Sequence, residues 1–96
     1  MKKLILIAAL LAFNANAEES KKERLCKTIY EVADSVMKSR QNGTPMEKLM
    51  GITNGNKELI DMVIGAYRMP LMNSHKMKMQ MRTEYANKKM VECYQS

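Results

Sequence analysis

Five methionines and the single histidine of this chain lie within one short stretch, MPLMNSHKMKMQMR at residues 69–82. Thioether and imidazole groups are ligands that suit Cu(I), so this composition raises the question of a soft-metal site. An extended backbone would turn Met77, Met79 and Met81 to the same side, because side chains alternate along a strand. In a helix, Met79 turns away from the other two by about 160°. The conformation of the stretch therefore decides which sulfurs can meet.

A proline and a serine divide the stretch into a loop and a helix. Pro70 ends a preceding helix, and Ser74 can cap a new one. His75 and Met79 then lie one helical turn apart, and Met72 lies in the loop that precedes the helix. Met72, His75 and Met79 are therefore the candidate ligands for a copper or silver ion, and no other cofactor is predicted. The alternative is that the methionines are core residues and His75 is exposed, which methionine-richness throughout the chain favours.

The first 17 residues have the anatomy of a signal peptide. A short basic start precedes an apolar run at residues 4–13, and Ala15 and Ala17 occupy the −3 and −1 positions of a cleavage site. The apolar run is too short to span a bilayer as a stable helix. We therefore expect cleavage after Ala17 and a soluble periplasmic or secreted product, residues 18–96, without a transmembrane segment. The compact form of the signal, with its two-lysine start, is typical of bacteria.

Export changes how the two cysteines, Cys26 and Cys93, are interpreted. Oxidising compartments form disulfides, and small secreted domains depend on them. The single intramolecular pairing closes roughly 70 residues and stabilises the fold by roughly 4 kcal/mol in the chain-entropy model. A metal thiolate pair or a redox couple is the alternative, but both usually have close spacing such as Cys-x-x-Cys, which is absent. The favoured interpretation is a disulfide.

Three helices are predicted before Pro70. The first has an apolar stripe from Leu25 to Met37, a capping box that starts at Ser20, and a stop at Gly43. The second is short, with Thr44 as its cap. The third has a predicted buried face of five residues, Leu59, Ile60, Val63, Ile64 and Tyr67. Its Gly65 either weakens the helix by about 1 kcal/mol or lets another helix approach closely.

A long fourth helix is predicted from Asn73 or Ser74 onwards. One face carries Met79, Ala86, Met90, Cys93 and Tyr94, and a neighbouring face carries Met77, Met81 and Tyr85. A disulfide needs Cα atoms within about 7 Å, so the first and last helices should be antiparallel. The predicted fold is all-α: one domain of four helices, in which a disulfide clips the two long helices and the two shorter helices lie between them.

No catalytic site is predicted. A hydrolase needs a nucleophile, a base and an orienting group, and this chain has one histidine and two thiols that a disulfide would consume. Glu58 and Asp61 lie one turn apart and are interpreted as exposed.

Removal of the signal lowers the net charge from +6 to +4. We expect no nucleic-acid partner for an exported chain, and excess lysine serves solubility or attraction to anionic envelope surfaces.

Several short motifs together resemble those of a protein family. They are an early cysteine in the first helix, RQNG at 40–43, TPMEKLM at 44–50 and a final CY at 93–94. This framework resembles an uncharacterised family of small exported, single-disulfide helical proteins of Gammaproteobacteria and their phages. The resemblance spans most of residues 18–96. It implies the helical fold and the disulfide, and it implies no activity and no functional residues.

These observations favour a non-enzymatic accessory protein of bacterial or phage origin. We expect it to be periplasmic or secreted and to act by binding a protein or an envelope component. The alternative is a periplasmic Cu(I)- or Ag(I)-binding protein that uses its methionine and histidine side chains.

Overall fold

The computed structural model describes residues 21–96 in full and residues 2–20 only as part of the first helix. Within these residues the chain forms four helices and no strand. They are α1 (Lys2–Gln41), α2 (Met46–Ile52), α3 (Lys57–Arg68) and α4 (His75–Gln95). The all-α prediction is confirmed. The predicted signal peptide lies outside the fully described residues, so its cleavage after Ala17 stays a prediction.

The two long helices, α1 and α4, pack against each other more extensively than any other pair. Cys26 and Cys93 form the predicted disulfide at one end, with their Cα atoms 5.5 Å apart. Farther along, Asp34 of α1 forms an ion pair with Arg82 of α4, at 2.9 Å between Oδ1 and Nε. Residue numbers rise along α1 while those of the partners fall along α4, so the helices are antiparallel, as predicted.

The core is made of methionine, alanine and one tyrosine. Its seven buried members are Ala33, Met37, Met62, Ala66, Met81, Tyr85 and Ala86. The alanines let the helices approach closely, and the flexible methionines fill the remaining space. Tyr85 donates a hydrogen bond to the carbonyl of Met62, at 2.5 Å, which fastens α4 to α3. Burial and the nearby charge of Glu92 raise the pKa of Tyr85 to about 12.

The buried face of α3 differs from the predicted one. Met62 and Ala66 are buried beside Val63, whereas Leu59 and Tyr67 are only partly buried. The prediction placed the large aliphatic side chains inside, but the face of the helix that carries Met62 and Ala66 packs against the core. On α4, Met81, Tyr85 and Ala86 are buried, whereas Met79 and Tyr94 of the first predicted face and Met77 of the neighbouring one are exposed.

Two of the predicted helix starts are corrected. Thr44 does not cap α2, which begins at Met46 after Pro45 and has no side-chain cap. The amide of Thr44 instead bonds to Ser39, and its carbonyl accepts the Tyr67 hydroxyl. Helix α1 begins upstream of Ser20, so no helix start occurs there in the full chain.

The cap of α4 matches the predicted one. The Ser74 hydroxyl accepts the amide of Met77 at 3.1 Å. A similar bond caps α3, where the Asn56 side chain accepts the amide of Leu59 at 3.1 Å. Each bond satisfies a helix N–H that would otherwise lack a partner.

Gly65 lies where α3 meets Tyr85, and replacing it by alanine should be destabilising. A Cβ at this position would lie 2.6 Å from the Tyr85 hydroxyl, which is already bonded to α3. The overpacking costs about 1–3 kcal/mol, more than the roughly 1 kcal/mol gained in helix propensity. We expect Gly65→Ala to lower the free energy of unfolding by about 1 kcal/mol in denaturant titrations.

Gly51 of α2 provides the matched control for this substitution. A Cβ there would meet nothing within 4 Å, so Gly51→Ala should stabilise the protein by about 0.5–1 kcal/mol. A Tyr85→Phe background removes the clashing oxygen, so Gly65→Ala should not lower the free energy of unfolding there. An equal loss in both backgrounds would show that the hydroxyl contact is not the cause.

Candidate functional site

An apolar groove of about 490 Å³ lies between α1, α2 and α3. Each helix contributes a pair of large aliphatic side chains, and these are Val32 and Val36, Leu49 and Ile52, and Leu59 and Val63. Ser35, Ser39 and Thr53 supply hydroxyl groups, and Glu31 supplies the only ionisable side chain of the lining. A concave, mostly apolar surface with a few polar groups is the usual form of a binding site.

The groove exists because α2 does not close against α1. This helix has seven residues, none of them buried, and it packs mainly on α3. Ile52 is 70% exposed, the highest fraction among the large hydrophobic side chains of residues 21–96. A short helix whose apolar residues stay accessible in a small protein is typical of an interaction surface.

Glu31 marks one polar boundary of the groove. The ion pairs within residues 21–96 join Asp34 to Arg82 and Lys89 to Glu92, so neither uses Glu31. Its exposed carboxylate carries a negative charge on a chain whose overall formal charge is +6. The groove is therefore locally acidic on a basic protein.

The loop before α4 is fastened to the end of α1 by two side chains. Arg40 donates to the carbonyl of Met69 from Nε and Nη2, at 3.2 and 3.1 Å. Gln41, which is buried, donates to the carbonyl of Pro70 at 2.9 Å and accepts the amide of Met72 at 2.8 Å. These bonds hold the backbone that carries Met72 against the core.

The three candidate metal ligands lie in different environments. Met72 is partly buried against the core, His75 is the exposed first residue of α4, and Met79 is exposed one turn later. No group of three or more His, Cys, Asp or Glu able to hold a metal ion occurs in residues 21–96. The helix start at Ser74 is the observation that keeps His75 and Met79 within one turn.

The sulfur of Met79 already has a cationic neighbour. Nη1 of Arg82 donates to it at 3.3 Å, while Asp34 holds the same guanidinium through two bonds of 2.9 Å. The hydrogen bond to Asp34 raises the pKa of Arg82, so its charge persists. A Cu(I) ion approaching Met79 would meet a fixed positive charge, which disfavours binding there.

We expect Cu(I) titration to give equal, weak binding for the natural protein and for a Met72→Leu/His75→Ala/Met79→Leu variant. The fixed Arg82 charge and the packing of Met72 against the core are the reasons. Competition with a colorimetric Cu(I) chelator measures both affinities. A Met77→Leu variant is the control, because Met77 is similarly exposed and lies outside the candidate set. Tight binding lost only in the triple variant would establish the metal site.

A second, smaller depression of about 350 Å³ lies beside the disulfide. Its lining carries Glu58, Asp61 and Glu92, with Lys89 bonded to Glu92 at 3.2 Å. Glu58 and Asp61 are exposed, as predicted. Their exposure leaves both carboxylates in contact with water.

Comparisons with known proteins add no relative. No protein-family model matches this chain, and neither a curated protein nor a solved structure does. The resemblance to small exported proteins of Gammaproteobacteria and their phages therefore stays a prediction.

Sequence reasoning missed the groove, although one signal for it was present. Leu49 and Ile52 are aliphatic residues on a helix bounded by Pro45 and by the turn at 53–56. A helix of two turns has too little surface to bury several apolar side chains against more than one neighbour. Because α2 packs mainly on α3, these two side chains remain accessible and form a wall of the groove.

Proposed function

We propose that this chain is a non-enzymatic, periplasmic or secreted accessory protein that acts by binding another protein or an envelope component. The groove between α1, α2 and α3 is the observation that carries the proposal. The disulfide supports export, because such bonds persist in oxidising compartments. No helix among the described residues is long and apolar enough to cross a membrane.

The distribution of exposed apolar residues favours binding at the groove over binding elsewhere. Ile52 stands beside the partly exposed side chains of Val32, Val36 and Leu59 on neighbouring helices, so a partner covering it would bury a continuous apolar patch. Val91 of α4 is also exposed, at 53%, but it does not line the groove. Burial of apolar surface is the main driving force of association, so the continuous patch is the stronger candidate.

Site-specific photocrosslinking tests this proposal in bacterial cells that export the full chain. A photoreactive amino acid at position 52 should give discrete crosslinked species in the envelope fraction. The same amino acid at position 91 is the matched control and should give fewer or none, because Val91 lies outside the groove. Absence of crosslinked species at both positions, across several growth states, would contradict the proposal.

A further inference from the structure

We propose that the groove binds a single helix of a partner protein, and that this helix is amphipathic, with an apolar stripe and a lysine or arginine at the end that faces Glu31. The inference rests on the proposed function and names the chemistry of the partner. Three features of the groove support it: the spacing of its aliphatic pairs, the small residues on the α1 wall and the charge of its lining.

The aliphatic pairs on the three walls are each separated by one helical turn. Val32 and Val36 are four residues apart, as are Leu59 and Val63 on α3. Such pairs place side chains about 5–6 Å apart along a helix, which forms the ridges that interdigitate with another helix. A partner helix presents its apolar side chains at the same spacing, so its stripe can pack against the accessible members of these pairs, which exclude the buried Val63.

The α1 wall allows a partner backbone to come close. Ser35 and Ser39 lie four residues apart between the larger residues, and both line the groove. Small side chains at this spacing leave a shallow track along a helix, and their hydroxyls can bond to polar atoms of the incoming helix.

The charge of the lining selects a cationic partner over an anionic lipid. Glu31 is the only ionisable side chain there, and neither of the two ion pairs within residues 21–96 involves it. A lysine or arginine at the end of the bound helix would supply the missing partner. A fatty acid or a phospholipid would bring a negative group to a lining that holds no basic residue, so like charges would meet.

Two synthetic helical peptides test the assignment. Both carry leucine at positions i, i+3, i+4 and i+7 of an otherwise alanine-rich helix, and one ends in lysine where the other ends in glutamate. Binding to the full exported chain is followed by NMR through the methyl signals of Val32, Val36 and Ile52. We expect the lysine peptide to bind about two- to fivefold more tightly, the usual effect of one exposed charge pair.

Charge reversal on the protein should reverse this preference. Glu31→Lys should favour the glutamate peptide by a similar factor, because the sign of the groove changes. Ile52→Lys should weaken the binding of both peptides by at least about tenfold, whereas Val91→Lys should change the affinity for neither peptide. Both positions are exposed, so folding should be disturbed by no more than about 0.5 kcal/mol, and circular dichroism checks this.

Four other outcomes would overturn the inference, and all but the last of them would leave the proposed function intact. Larger methyl shifts with phosphatidylethanolamine–phosphatidylglycerol vesicles than with either peptide would identify a lipid occupant. If the same methyl signals shift with protein concentration in the absence of any peptide, the occupant of the groove is a second copy of this chain. If neither peptide shifts the methyl signals but crosslinks form at position 52 in cells, the helical partner is rejected and the proposed function stands. Unmoved methyls without any such crosslink would reject the function as well.

Discussion

Loss of the Cys26–Cys93 disulfide is expected to lower the free energy of unfolding by about 4 kcal/mol. The bond joins residues 67 positions apart, so it restricts the unfolded chain over most of residues 21–96. In the chain-entropy model a loop of this size is worth roughly 4 kcal/mol. A domain of this size has a net stability of only about 5 kcal/mol, so most of the stability should be lost.

The position of the bond predicts where the structure opens first. Cys26 is buried, and the disulfide closes the end of the α1–α4 pair that lies away from the Asp34–Arg82 ion pair. Without the disulfide, amide exchange should accelerate most strongly near Cys26 and Cys93. Exchange near Gln41 should change less, because hydrogen bonds to Pro70 and Met72 hold that end.

Thermal and denaturant unfolding of a Cys26→Ala/Cys93→Ala variant measures this effect. The midpoint temperature should fall by roughly 15–30 °C, the shift that about 4 kcal/mol produces in a domain of this size. The reduced natural protein should behave like the variant, and reductant should not change the variant further. A midpoint within a few degrees of the oxidised protein would show that helix packing alone sustains the fold.

Local signals in the sequence were the most reliable guides to the fold. The stop of α1 at Gly43 occurs with a φ of 83°, which glycine adopts without strain. The Ser74 cap is a bond between residues three positions apart. The disulfide was predictable because a chain with two cysteines has a single intramolecular pairing. Each of these features depends on few residues and little tertiary context.

The errors arose where distant contacts decide the structure. Thr44 has the right type for a cap, but its backbone is held by Ser39 and by the Tyr67 hydroxyl, 23 residues away. The face of α3 is set by how it packs on α1 and α4, which turns Met62 and Ala66 inward. The groove depends on how little α2 packs on α1, and the short length of α2 is the only sequence feature that points to it.

Gln41 is the residue whose role the sequence concealed most completely. A polar residue at the end of a helix usually faces solvent, yet Gln41 is only 1% exposed. Its amide is fully used: Nε2 donates to Pro70 and contacts the sulfur of Met37, and Oε1 accepts from Met72. One side chain thereby joins the end of α1 to the loop that leads into α4.

Gln41→Leu should therefore lower the free energy of unfolding by about 2–4 kcal/mol. Leucine preserves most of the volume but leaves the carbonyl of Pro70 and the amide of Met72 without partners. Both groups are only partly buried, so each costs about 1–2 kcal/mol, the lower part of the range for an unsatisfied buried group. Gln80→Leu is the matched control, because Gln80 is an exposed glutamine whose bond to Glu84 lies on the surface. That control should change stability by less than about 0.5 kcal/mol.

Hydrogen exchange at the Met72 amide separates this mechanism from a general loss of packing. In the natural protein the amide bonds to Gln41 at 2.8 Å, so its exchange should be slow relative to a free loop amide. In Gln41→Leu it should exchange faster than global unfolding accounts for, while the Met77 amide, bonded to Ser74, keeps its protection. Equal acceleration at both amides would mean that the substitution loosens the whole domain. In that case Gln41 would act through packing and not as the specific link between α1 and the loop.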